Sequence, residues 1–229
     1  MKLKGITDVF FDLDHTLWDF DKNSALAFKK IFKLRELPID LSTFLAHYIV
    51  INAQYWKRYR DEKIDHETLR IGRLNDTFKA IGFSIDEALV YQISIDYIVH
   101  LTTYNHLFKN TILILDYLSI KYRLHIISNG ASDIQHKKLR NANISHYFKT
   151  VTNAEMASVK KPNPKIFEFA LKAANANVAQ SIMIGDGFEA DIEGAMNVGM
   201  DVIYFDPKNQ KKNVEIKQID NLIHLKKYL

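Results

Sequence analysis

Two aspartates one residue apart, Asp12 and Asp14, close a short apolar run, Val9-Phe10-Phe11, near the start of the chain. The run reads as a buried strand, and side chains at i and i+2 of a strand point the same way, so the two carboxylates converge on one point. Like charges that close are costly unless a cation or a proton is shared between them. Three more polar groupings follow short apolar runs: Ser128-Asn129-Gly130 after Arg123 to Ile127, Lys160-Lys161-Pro162 beyond Thr150 to Thr152, and Gly185-Asp186, with Asp191 further on, after Ser181 to Ile184. If these runs are parallel strands, their ends share one edge, where open α/β sheets bind ligands. Carboxylates with no histidine or thiolate among them favour a hard cation, and Mg²⁺ is the usual choice when a phosphate shares the site. A lysine, a serine hydroxyl and the turn amides near Asn129 and Gly130 supply donors for an anion with several oxygens, which is what a transferring phosphoryl group presents. One aspartate of the pair can attack phosphorus while its neighbour protonates the leaving oxygen and later deprotonates water. The expectation is phosphoryl transfer through an aspartyl-phosphate.

The elements that must position these residues fall into two textures. From Asp19 the sequence has helical periods: Asp19 to Leu37 with Asp21, Asn23 and Ser24 as candidate caps, Ser42 to about Arg60, Asp65 to Ala80 with Gly82 behind it, and a helix to about Thr103 opened by a Ser84 to Glu87 capping box. From Phe108 strands and helices alternate: a helix over Thr111 to Lys121, one from Ser132 to about Asn141, one with Pro164 at its first turn through Ala174, one from about Asp191 to Val198, and a last strand from Met200 to Phe205. The predicted fold is α/β, a Rossmann-like parallel sheet flanked by helices, with residues 1–17 and 106–229 forming the core and residues 18–105 an inserted all-helical domain. At 229 residues and 47% hydrophobic content the chain can bury a core without staples.

Composition removes several function classes. With no cysteine, disulfides, thiolate metal sites and cysteine nucleophiles are excluded, and the absence fits a reducing compartment. No apolar stretch is long enough for a membrane span and the amino terminus lacks a signal-like run, so a cytoplasmic location is expected. The net charge of +4 is spread along the chain. Its one cluster, Lys208 to Lys217, reads as a solvated loop rather than a surface for a nucleic-acid polymer. The nine histidines lack ligand spacing, and neither a P-loop nor a dinucleotide fingerprint is present.

Asp12-Leu13-Asp14-His15-Thr16, Ser128-Asn129-Gly130, Lys161-Pro162 and Gly185-Asp186 with Asp191 resemble, in order, the four motifs of the haloacid dehalogenase-like hydrolase superfamily. The resemblance implies Asp12 as nucleophile and Asp14 as general acid/base, with Thr16, Gly130 and Gly185 in support. Ser128, Asn129 and Lys161 would serve the phosphate. Mg²⁺ would be held by Asp12, the backbone carbonyl of Asp14, Asp186 and Asp191, the last as ligand, outer support or helix cap. Asn129 either binds phosphate or shapes its turn, and Lys160 is the alternative register for Lys161. The dehalogenases that named the family lack an aspartate two residues after the nucleophile, since a carbon–halogen bond needs no leaving-group acid, so Asp14 argues for phosphate esters. Gly187 departs from the serine or threonine of many relatives. The helical insertion resembles the family's cap. Thr16 to Phe20, Trp56 to Tyr59, and Gly72-Arg73 resemble the bacterial pyrimidine 5′-nucleotidase branch, which implies a nucleoside monophosphate substrate, with Phe20, Trp56 and Tyr59 as candidate base contacts or as cap core. A sugar-phosphate or phosphoglycolate phosphatase, a phosphomutase and a non-catalytic binding module are the alternatives. The oligomeric expectation is monomer or dimer.

Overall fold

The computed structural model describes residues 2–209 and 215–229; of the lysine cluster, Lys211 and Lys212 lie outside the described residues. The chain divides into two compact units, Met1–Asp19 with Asn105–Leu229, and Phe20–Tyr104. Strand β1 (Asp8–Phe11) precedes the second unit, which holds four helices: α1 (Phe20–Leu34), α2 (Leu41–Arg60), α3 (His66–Ala80) and α4 (Glu87–Leu101). Aspartates start three of them, with Asp40, Asp65 and Asp86 accepting from the backbone N–H of Thr43, Thr68 and Leu89 at 2.8, 2.8 and 2.7 Å. Each such cap contributes about 1 kcal/mol. The start of α4 corrects the capping-box expectation: the carboxylate nearer the first turn, Asp86, takes the role assigned to Ser84. In α1 the candidate caps Asn23 and Ser24 lie inside the helix and are buried. Rings fill the interior of this unit, with Phe28 stacked on Tyr97 at 4.5 Å and set against Tyr48 and Phe44 at 4.7 and 4.8 Å.

In the other unit the chain continues through α5 (Thr111–Ser119), β2 (Arg123–Ser128), α6 (Ser132–Asn141), β3 (Phe148–Asn153), α7 (Ala154–Ala157), α8 (Pro164–Ala174), β4 (Ser181–Gly185), α9 (Gly194–Met196), β5 (Asp201–Phe205) and β6 (Gln218–Ile219). Among the described residues the six strands form one parallel sheet in the order β3-β2-β1-β4-β5-β6. The chain reverses its direction of winding at β1 and β4, and a ligand crevice belongs outside the carboxyl ends of those two strands. Strand β1 is central and wholly buried, which is why its sequence is a continuous apolar run rather than an alternating one. Asn163 caps α8 and Pro164 stands in its first turn, as predicted. Helix α8 buries Ile166, Phe167, Ala170 and Leu171 against Phe10, Ile127 and Met183, and full burial of residues like Ile166 and Phe167 contributes roughly 1.5–3 kcal/mol each. Strand β6 is two residues long, too short for a periodic signal.

The start of β1 carries a charge that the site does not use. Asp8 is fully buried and accepts from Arg123 Nη2 at 2.8 Å, and His125 Nε2 lies 3.0 Å from its other oxygen. The His125 ring stacks on Phe10 at 4.6 Å, with Nδ1 2.9 Å from Thr150 Oγ1. Burial alone would raise the Asp8 carboxyl, but its bonds to Arg123, Thr7 and His125 bring it below its ordinary value. Burial lowers the His125 imidazole despite Asp8 beside it. Both shifts favour the folded state's less protonated form, so the unfolded chain binds more protons in each window. The stability that this pair contributes is therefore expected to fall as pH drops below about 6.5 through the histidine window, and again below about 4 through the carboxylate window. The difference in urea midpoint between the parent and Asp8→Asn, followed from pH 8 to pH 3, isolates this contribution from that of the other titrating groups. Asp8→Asn is expected to cost about 2 kcal/mol at neutral pH and to flatten the lower window.

Candidate active site

The loop after β1 is folded back on itself. His15 N donates to Trp18 O at 2.9 Å and Trp18 N to Leu13 O at 2.9 Å, with His15 in a left-handed conformation at φ 64°. That backbone position is one task of His15, and its side chain is also among the charges that lower the Asp14 carboxyl. Asp12 continues the sheet by donating its N–H to Ile184 O on β4. Thr16 Oγ1 donates to Asp186 Oδ1 at 3.3 Å and accepts from Asp186 N at 3.1 Å, which ties the loops after β1 and β4 together.

Lys161 comes to this edge by a longer route than expected. It is not at the end of β3; seven residues, including α7, separate it from Asn153. Asn129 fixes it there: Lys161 N donates to Asn129 Oδ1 at 2.7 Å and Asn129 Nδ2 donates to Lys161 O at 3.0 Å. Both ends of the Asn129 amide are thereby used on the Lys161 backbone, which is the turn-shaping role, and one of the two amide N–H groups is left over. The Lys161 ammonium is buried and donates to Asp12 Oδ1 and Ile127 O, both at 2.6 Å, and pairs with Asp191 Oδ1 at 2.7 Å. Lys160 does not share this setting in the register seen. The acceptors raise the Lys161 ammonium above its ordinary value in spite of its burial.

The helix expected from about Asp191 starts earlier and opens in a different form. A π-helical turn over Phe188–Glu193 precedes α9, and Asp191 lies inside it. Its Oδ2 accepts from Gly187 N at 2.9 Å, so the carboxylate closes its own turn rather than capping a new helix. Gly187 supplies a backbone donor here, where a serine or threonine would add a hydroxyl. Gly185 is required by the same packing: a Cβ on it would stand 2.3 Å from Asp191 Oδ2.

Asp14 has a separate set of partners. Lys138 Nζ on α6 lies 2.6 and 2.8 Å from its two oxygens, and Gln135 Nε2 donates to Oδ2 at 2.8 Å. Gln135 Nε2 also donates to Ser128 Oγ at 2.6 Å, and Gly130 N donates to the same oxygen at 3.1 Å. With two donors on its oxygen, the Ser128 hydroxyl hydrogen points elsewhere and is available to an anion. Gly130 allows this arrangement, since a Cβ there would fall 2.1 Å from Gln135 Nε2. Burial raises the Asp14 carboxyl, but Lys138 and Gln135 bring it below the ordinary value. Sequence reading missed Lys138 and Gln135. The available signal was their i, i+3 spacing on α6, where they and Leu139 are the buried residues.

Asp12, Asp186 and Asp191 each offer a carboxylate oxygen within 4.8 Å of the others, a set that could hold a metal ion. The Asp14 side chain is not in that set. Hard oxygen donors fit a hard divalent cation. Asp191 Oδ1 is buried, and the Lys161 ammonium lies 2.7 Å from it. Burial pushes Asp12 well up, and burial with the Asp191 charge pushes Asp186 to about 8. If all four carboxylates ionise, they face two ammonium groups, Lys161 and Lys138, and the two negative charges left over are what one divalent cation would balance. The helical unit, by itself, offers a different kind of surface. Phe20 and Tyr55 are buried, with Tyr55 donating to Asp76 at 2.7 Å, whereas Trp56 and Tyr59 are half-buried and meet edge to face at 5.8 Å.

Residues 8–199 match the model of the haloacid dehalogenase-like hydrolases, and the chain belongs to that family. Its fold superposes with a TM-score of 0.87 on the HAD-hydrolase YfnB of Bacillus subtilis, whose crystal structure is bound to magnesium, at 25% identity and with 97% of each chain covered. It is 28% identical over 209 residues to the pyrimidine 5′-nucleotidase PynA of Streptococcus pneumoniae, covering 90% of this chain and 86% of that protein. It is 30% identical over 210 residues to the glyceraldehyde 3-phosphate phosphatase of Pyrococcus furiosus, covering 89% and 82%. Among the described residues no helix is long and apolar enough to cross a membrane.

Proposed function

We propose that the chain is a Mg²⁺-dependent phosphomonoesterase that works through an aspartyl-phosphate on Asp12 and acts on nucleoside 5′-monophosphates. One observation carries the reaction class: two carboxylates from one strand end are held by different cations, Asp12 by Lys161 and Asp14 by Lys138. Their separate partners support separate tasks. Asp12 Oδ attacks phosphorus, and the bond from phosphorus to the leaving oxygen breaks as that oxygen takes the proton that Asp14, ionised in the resting site, picks up when the anionic ester binds beside it. Asp14, now ionised, takes a proton from water, and the resulting hydroxide attacks the phosphorus and frees phosphate and Asp12. Ser128 Oγ–H and the backbone N–H groups of the turn after β1 and β2 receive the phosphoryl oxygens. Asp12, Asp186, Asp191 and the Asp14 carbonyl would hold Mg²⁺, which when bound offsets the negative charge of the cluster and of the phosphoryl group.

The substrate rests on likeness to PynA and on Trp56 and Tyr59, whose half-exposed rings suit stacking on a base. The relative named for glyceraldehyde 3-phosphate supports the second reading, a sugar-phosphate substrate. The test is a phosphate-release panel of pyrimidine and purine nucleoside monophosphates, glyceraldehyde 3-phosphate and phosphoglycolate, run with Mg²⁺ and with chelator. The expected result is release fastest from a pyrimidine nucleoside monophosphate and at least about 100-fold slower with chelator. Full activity without metal would remove the Mg²⁺ assignment, and preference for a triose phosphate would replace the substrate while leaving the chemistry in place.

A further inference from the structure

We propose that Lys138 is a positioning residue for the general acid/base: it holds the Asp14 carboxylate in the rotamer that serves the leaving oxygen and keeps it apart from the cluster of Asp12, Asp186 and Asp191. This rests on the reading of Asp14 given above. Lys138 does not belong to any of the four motifs; it arrives on α6, ten residues after Ser128. Its side chain is 3% exposed, and its ammonium spans both oxygens of Asp14 at 2.6 and 2.8 Å. The same ammonium lies 4.5 Å from the centroid of the Trp18 ring, and Trp18 is itself fully buried and bridged to Asp14 through the backbone. A lysine carries several rotatable bonds and a strongly hydrated charge, so burying it here is costly unless a specific geometry is gained. What is gained is a fixed carboxylate: Lys138 on both oxygens and Gln135 Nε2 on Oδ2 hold Asp14 in one orientation two residues from Asp12. Because Gln135 also holds Ser128 Oγ, α6 sets the acid and a phosphate donor together. An acid misplaced by about 1 Å loses on the order of 100-fold in rate without losing substrate affinity.

The experiment is a kinetic cycle on p-nitrophenyl phosphate and on a nucleoside monophosphate with the Mg²⁺-loaded full chain. Lys138→Met and Lys138→Gln are expected to lower kcat by 10- to 100-fold with KM within about twofold, and to lower it more for the nucleoside, whose leaving oxygen needs the proton more. Lys138→Arg restores most of the loss. In an Asp14→Asn background, Lys138→Met has no further effect. Thermal unfolding selects the variants that fold, and Lys138→Gln serves if Lys138→Met does not. Unchanged kcat in Lys138→Gln overturns the proposal, as does a raised KM at unchanged kcat, or the same fold-loss with and without Asp14. If Asp14→Asn itself turns over like the parent, the acid/base reading fails and Lys138 has nothing to position.

Discussion

Asp12→Asn is expected to lower phosphate release by about 10⁴-fold or more while leaving the fold intact, the largest effect on activity that any single substitution here should have. Removing a nucleophile costs on this scale because no other group in the site can take its covalent step. Asn retains an oxygen where Asp12 Oδ1 accepts from Lys161, so the contact at 2.6 Å survives in kind. The stability change has the opposite sign to that of most buried substitutions. Burial raises the Asp12 carboxyl well above its ordinary value, and Asp191, Asp186 and Asp14 add to the shift against the opposing effect of Lys161. Removing one negative charge from that cluster relieves repulsion, so the metal-free variant is expected to melt at the same temperature as the parent or about 2–4 °C higher. The rise in melting temperature on adding Mg²⁺ should shrink, since one of its three carboxylates is gone. Phosphate release and thermal unfolding, each with and without Mg²⁺, check all three statements. Turnover within tenfold of the parent in a folded Asp12→Asn protein would remove the nucleophile assignment.

The parts of this site that can be read from sequence are those a parallel sheet writes as unbroken apolar runs. Val9 to Phe11 and Ile182 to Ile184 are buried on both faces, so the polar residues that follow them stand out sharply. Lys138 and Gln135 had no such contrast. Helix α6 is strongly polar along its length, and a lysine on its buried side looks in sequence like the lysine next to it. Their meaning comes from Asp14, more than a hundred residues earlier, and long-range pairs leave no local trace. The π-helical turn at Phe188–Glu193 was hidden for another reason: its residues suit an α-helix, and what shifts the backbone is tertiary packing of Asp191 against Gly185 and Gly187. Aromatic spacing in the helical unit told which residues face inward, as Phe28, Phe44 and Tyr48 do, but did not separate the buried Tyr55 from the half-buried Trp56 beside it.

Lys161→Met is expected to have the largest effect on stability, and its cause differs from that of a simple lost contact. The ammonium is 2% exposed and lies within 2.7 Å of Asp12, Asp191 and the Ile127 carbonyl. Without it, three carboxylates of one cluster face each other without the ammonium that pairs two of them, and Lys138 is committed to Asp14. Breaking a buried pair in this way costs about 3–5 kcal/mol, because the partners keep the penalty of burial and lose its compensation. For a chain of this size that is a fall in melting temperature of about 10 °C or more. Two companion measurements separate charge from shape. Asp191→Asn added to Lys161→Met removes one stranded charge, so it should return part of the lost stability while activity stays at least about 100-fold down. Mg²⁺ should raise the melting temperature of Lys161→Met by more than it raises that of the parent, since the cluster then carries one more uncompensated negative charge for the cation to meet. If Met at 161 destabilises the protein and neither Asp191→Asn nor Mg²⁺ restores any of it, the loss is one of packing, and the electrostatic account of this cluster is wrong.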